Sequence, residues 1–251
     1  MRAVAEGATL AGSVRVLAVA LAAYLVLVQP VVGSWSHARF RRAVGDPRAR
    51  LRRYRRTGAL EWALVGVSLA LVAAAPGLDL ADVGVRWPRL SAYTVVGAVG
   101  LVLSVALLVG LRRRVDRGVE VIAPAEVSAL LPRTATERRA FAGLAVTAGV
   151  CEEVLYRGFL LRYLTALLPG LGGTGAVLVA AVVFAMAHTY QGALSVVATA
   201  LMALVFTALF VASHALWLPI IVHALVDLRA LLLWRGDSRV SGTAAANGST
   251  G

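Results

Sequence analysis

Apolar residues run through this chain in long blocks rather than at amphipathic spacing, and each block is about the length that carries a helix across a bilayer, roughly 20 residues. Val16–Gly33, Trp62–Leu78 and Leu90–Leu111 are three such blocks, each free of internal charge. A fourth helix is marked at its start by Thr134-Ala-Thr-Glu137, the capping-box pattern in which the Thr hydroxyl and the Glu carboxylate each satisfy an exposed backbone N–H. It runs from about Ala135 through Phe141 to Leu168, where Pro169-Gly-Leu-Gly-Gly-Thr-Gly175 ends it. Between Tyr163 and Val226 there is no Asp, Glu, Lys or Arg over 64 residues, room for three passes broken at Pro169–Gly175, Gln191-Gly192 and Ser213–Pro219. The pattern predicts an all-α polytopic transmembrane bundle of about seven helices. Asp116–Ala140, with Pro124 and Pro132, reads as an interfacial helix and turn, and Gly236–Gly251 as a disordered tail. The expected organisation is three N-terminal helices over 1–115, a helical core over 116–235 and the tail over 236–251.

Composition agrees with a bilayer setting. Residues AVILMFWYC make up 59% of the 251 and DEKR only 15%, against about 45–50% and 25% in soluble domains. That excludes a disordered chain, a secreted disulfide scaffold (Cys151 is the single cysteine) and an ordinary cytosolic enzyme. Net charge is +12, and every one of the 25 basic residues is Arg, a bias expected of a GC-rich bacterial genome. Nine Arg fall between Arg39 and Arg56, and four more at Arg112, Arg113, Arg114 and Arg117. With no nucleic-acid-binding motif beside them, these runs read as cytoplasmic loops touching anionic lipid. The N-terminus is then outside and the C-terminus inside, next to Arg229, Arg235 and Arg239.

Ionisable groups inside apolar spans are costly, about 2.5–3.5 kcal/mol each, and so draw a functional reading. The fourth helix carries Glu152, Glu153 and Arg157; the fifth carries His188; the seventh carries His223 and Asp227. Glu153 and Arg157 stand i,i+4 with the acid first, the favourable order for an ion pair. Glu152 lies about 100° round the helix and is left without that cation. His223 and Asp227 share a helix face, where the carboxylate would orient the ring. Each group has a structural reading as a brace or a buried hydrogen bond. Together they suggest a polar intramembrane cavity in which a carboxylate and a His activate water, or in which Glu152, His188 and His223 hold a divalent metal such as zinc with water as the fourth ligand. His37 and His214 read as loop residues, and Cys151 as a small buried apolar group.

Glu152-Glu153-x-x-x-Arg157, Phe184-x-x-x-His188 and His223-x-x-x-Asp227, in that order on successive apolar helices, resemble the CPBP (ABI) family of CAAX prenyl endopeptidase-like intramembrane proteases. The resemblance spans about Leu130–Trp234, and Gly84-Val-Arg86-Trp-Pro88 is similar to a Gly-x-Arg-x-Pro loop of that family. It implies a membrane endopeptidase acting on a membrane-associated peptide. Glu152 and His188 would activate water, Glu153 and Arg157 would support them, and His223 with Asp227 would stabilise an oxyanion. Metal-dependent and metal-free mechanisms both stay open. The residues alone also allow a non-proteolytic membrane partner, as in bacteriocin immunity, or a proton-coupled transporter. Against the transporter, no inverted repeat is visible. One tension concerns depth: Glu152, about 25 Å along its helix, falls near the outer face, whereas His188 falls near the inner one.

Overall fold

A computed structural model describes residues 2–87, 92–118 and 125–233. All regular elements among them are helical. The order is α1 (Arg2–Ala23), a π-helical turn (Tyr24–Val28), α2 (Gln29–Arg42), α3 (Ala49–Ala74), α4 (Ala92–Asp116), α5 (Ala125–Ser128), α6 (Ala135–Glu153), a π-helical segment (Val154–Leu160), α7 (Leu161–Leu167), α8 (Gly172–Met186), α9 (Ala193–Ser213) and α10 (Trp217–Leu233). Four stretches, Gly12–Arg42, Ala49–Ala74, Pro169–Met186 and Ala193–Ser213, are long and apolar enough to cross a membrane. They mark an integral membrane protein. The expected start of the third span at Leu90, Pro88 of the Gly-x-Arg-x-Pro match, residues 119–124, Trp234, Arg235, Arg239 and the tail lie outside the described residues.

The predicted breaks fall where helices end. Pro169–Leu171 forms a short 3-10 turn before α8, Thr189–Gln191 forms another before α9, and His214 closes α9 in the left-handed region at φ 52°. The capping box at Thr134 is formed: its hydroxyl accepts from Glu137 N–H at 3.1 Å, and Glu137 Oε2 accepts from Thr134 N–H at 3.2 Å. Glu137 then lies buried beside Arg50 at 3.7 Å, fastening the start of α6 to the start of α3.

The Arg-rich run is the main departure from the sequence reading. Arg39–Arg42 is the last turn of α2, and Ala49–Arg56 opens α3, which leaves a connection of only residues 43–48. Arg is a good helix former, and its long stem covers apolar surface while the guanidinium reaches polar ground. The helices therefore continue through the charge that was expected to end them. His37 follows from the same departure: it is a buried α2 residue, with ring centroids 6.1 Å from Phe40 and 5.2 Å from Tyr190. The π-helical turn in the first long helix sits just before Pro30. A proline there clashes with the carbonyl four residues back, and one wide turn relieves it.

α6 is the central helix, packed on α3 along one side and on α10 along the other. Gly149 makes the second crossing close: a Cβ there would stand 3.0 Å from both the backbone N and the Cβ of Ala224. Gly158, within the π-helical segment, meets the carbonyl of Val83 at 2.8 Å from where its Cβ would be. The first contact places His223, one residue before Ala224, against the end of α6. The second seats the 79–86 turn on the segment that follows.

Candidate active site

Glu152 and Glu153 end α6, and the helix widens into π geometry immediately afterwards, a device seen often at functional sites. The two carboxylates leave the helix in different directions and meet different surroundings. Glu153 is fully buried. Its Oε1 accepts from Arg157 Nη1 at 2.8 Å and lies 2.8 Å from His223 Nδ1. Arg157 also donates to the carbonyl of Ala203 at 3.2 Å and to the hydroxyl of Thr207 at 3.4 Å. Its guanidinium lies over Phe184 at 4.5 Å and Phe206 at 5.3 Å. The i,i+4 pair expected from spacing is therefore formed, and it ties α6 to α9 and α10.

Glu152 points the other way, into a cavity of about 420 Å³ bounded by α2, α3, α6 and the end of α8. Its Oε2 is buried without a hydrogen-bond partner among the described residues. That oxygen lies 3.8 Å from His188 Nε2 and 3.8 Å from His223 Nε2. Both gaps exceed a direct hydrogen bond. The two rings are oriented from behind. His188 Nδ1 lies 2.8 Å from the carbonyl of Phe184, which can only accept, so Nδ1 carries the proton and Nε2 faces Glu152. His223 Nδ1 faces the Glu153 carboxylate, so its Nε2 also turns toward Glu152. Phe184 lies against His188 at 4.8 Å, and Phe206 stacks on His223 at 4.7 Å, which fixes both ring planes.

Asp227 sits beside His223, Oδ2 to Nε2 at 3.7 Å. The carboxylate within hydrogen-bond distance of the His223 ring is nevertheless Glu153, on the opposite nitrogen, and not the same-helix Asp227 that spacing suggested. The depth tension also resolves. α8 stops at Met186, and the following turn tucks against α2, where the Ser34 and Thr189 hydroxyls are 3.0 Å apart. His188 is thereby held level with Glu152 instead of at the end of the bundle.

One acid was missed. Glu61, on α3, lines the same cavity as Glu152 and His188 and is buried, with Oε2 unpartnered among the described residues. Read as the edge of a basic loop, it falls one residue before the predicted span. Read as a helix, Arg53, Arg56, Thr57, Leu60, Glu61 and Leu64 recur at i, i+3, i+4, i+7, i+8 and i+11 and form a single face.

Two imidazole nitrogens and a carboxylate suit zinc by type. As placed, no three His, Cys, Asp or Glu side chains among the described residues are grouped around one metal position. Cys151 is buried with a free thiol.

No curated protein and no solved structure matches the chain. A family model described as Type II CAAX prenyl endopeptidase Rce1-like matches residues 135–229. That range runs from the first turn of α6 to Arg229 in α10 and contains Glu152, Glu153, Arg157, His188, His223 and Asp227, but not Glu61. Over these residues the chain is similar to the CAAX protease-like family.

Proposed function

We propose that the protein is an intramembrane endopeptidase that hydrolyses a peptide bond of a membrane-associated substrate, with Glu152 as general base. The observation that carries this reading is the Glu152 carboxylate oxygen, buried, unpartnered and equidistant from two His Nε2 atoms in a cavity. An oxygen atom about 2.8 Å from both Glu152 and His188 fits the 3.8 Å gap. In the proposed step a water there gives one proton to Glu152 while its other O–H donates to His188 Nε2. The water oxygen bonds to the scissile carbonyl carbon. With both ring nitrogens protonated, His223 donates from Nδ1 to Glu153 and from Nε2 to the oxyanion, and Asp227 lies beside that Nε2 at 3.7 Å. The C–N bond then breaks, and Glu152 returns its proton to the leaving amine. Glu153 and Arg157 hold His223 and touch no reacting atom.

The proposed setting is a bacterial plasma membrane crossed seven times. The Arg-rich ends of α2 and α3 lie on the cytoplasmic side, and residues 116–235 form the catalytic core. The cavity walls include Arg39, Arg53 and Arg56, so on this orientation it opens toward the cytoplasm.

Terminal-peptide mass spectrometry on membranes from a deletion host tests the reading. Cells would express either the parent chain or Glu152→Gln at equal abundance. New peptide ends appearing only with the parent are expected, with the variant slower by about 10²–10⁴-fold, the usual contribution of a positioned base. Undiminished cleavage by Glu152→Gln would remove Glu152 from the mechanism. Identical terminal profiles with both proteins folded would remove the protease reading.

A further inference from the structure

The proposed hydrolysis uses Glu152 and leaves Glu61 idle. Glu61 stands on α3 with only 9% of its surface exposed, and its Oε2 is sealed from solvent with no hydrogen-bond partner among the described residues. It lines the cavity that also holds Glu152 and His188. Arg39, Arg52, Arg53 and Arg56 line that cavity too, yet none stands within ion-pair distance of Glu61. Arg52 is engaged with Asp46, and Arg53 donates to the Ser36 hydroxyl. The charged groups that bear on Glu61 are two more acids, Glu152 and Asp227. A carboxylate kept in an apolar span beside two others calls for a positive partner, and the described residues supply none.

The walls of the cavity fix the form of that partner. Leu60 and Leu64 on α3, Leu155 in the π-helical segment and Tyr24 in the π-helical turn line it together with Glu61. Apolar walls with one carboxylate suit a long apolar stem that ends in a cation, which is a lysine or arginine side chain. A metal ion is a poorer match, because no three His, Cys, Asp or Glu side chains among the described residues are grouped around one position. Resting on the hydrolase reading above, we propose that Glu61 is the charged end of a subsite for a basic side chain of the peptide substrate, on a residue close to the scissile bond. Selection of basic peptides then belongs to α3, a helix outside the matched residues 135–229, while hydrolysis belongs to residues within them.

Binding tests this independently of turnover. The full chain carrying Glu152→Gln, which also removes the neighbouring carboxylate as a competing anion, is placed in phosphatidylcholine nanodiscs. It is titrated with one dansylated, end-blocked apolar heptapeptide whose three central positions carry in turn lysine, arginine or norleucine. Norleucine keeps the apolar stem of lysine without the charge. A charge-assisted contact in the cavity should favour lysine or arginine over norleucine by about 10- to 100-fold at one of these positions. Adding Glu61→Gln should erase the preference, Glu61→Asp should retain part of it, and Glu126→Gln should leave it intact, since Glu126 is an acid outside the cavity wall. Equal affinity for the three residues at every position overturns the subsite, and that comparison needs no Glu61 variant to fold. A basic preference that survives Glu61→Gln overturns it as well. So does equal loss with Glu61→Gln and Glu126→Gln, in favour of general surface charge. None of these failures touches hydrolysis, which stands or falls on the Glu152 comparison of terminal peptides.

Discussion

On the α9 side of α6, Glu153, Arg157, Thr207 and His223 form a packed set: Glu153 has one oxygen unpaired, but its Oε1 is held by both Arg157 and His223, and two phenylalanine rings cover the guanidinium. On the α3 side, Glu152 and Glu61 each leave a buried oxygen unpaired beside a cavity. The two regions start from adjacent residues of one helix. Satisfied buried charge is a framework, costly to break and chemically quiet. Unsatisfied buried charge is retained against a desolvation penalty, which fits a group whose partner is a substrate or a water. The comparison predicts that the two neighbours respond oppositely to neutralisation. Glu152→Gln, which removes the proposed base, should leave thermal stability in detergent unchanged or higher.

The framework side breaks most severely. Arg157→Met leaves Glu153 buried without its cation and is expected to cost about 3–5 kcal/mol, read as a fall in the unfolding midpoint. Adding Glu153→Leu should recover much of that stability while leaving cleavage lost, because His223 then has nothing behind Nδ1. Recovered activity in the double variant would show that His223 needs no orientation from Glu153. A smaller effect is expected where the two regions are pressed together. Gly149→Val places methyl groups against the Ala224 backbone and should cost about 1–3 kcal/mol. It should also lower kcat more than it raises KM, since it moves His223 and not the cavity mouth. The mildest change lies at the far end of α6. Thr134→Ala removes one half of the capping box, for about 1 kcal/mol with the turnover rate retained.

Local signals in the sequence carried a good part of this architecture. The breaks at Pro169, Gln191-Gly192 and Ser213 and the cap at Thr134 are determined by residues within a turn of one another, and they stand where the pattern placed them. The Glu153–Arg157 pair is equally local. What escaped was set by other helices. Asp227 looked like the residue that orients His223 because both lie on α10. Glu153 reaches Nδ1 from α6, a contact that no spacing within one helix encodes. The depth of His188 depends on α8 stopping short and its turn docking on α2. Glu61 was missed for a different reason. Its signal, a six-position stripe on α3, is present in the sequence but was hidden by reading the arginines before it as a loop.

The π-helical segment at Val154–Leu160 has a consequence for how the length of this chain can vary. A π turn carries one residue more than an α turn, so α6 and α7 run out of phase with each other by about 100°. Removing one residue from the segment would restore a regular helix, but either the face bearing Glu152 and Glu153 or the face that buries Phe159 and Leu160 would then rotate out of place. Insertions and deletions are therefore forbidden here, a constraint separate from those on Arg157 and Gly158 within the segment. The reading frame of the helix is thus fixed here along with the residues that it carries.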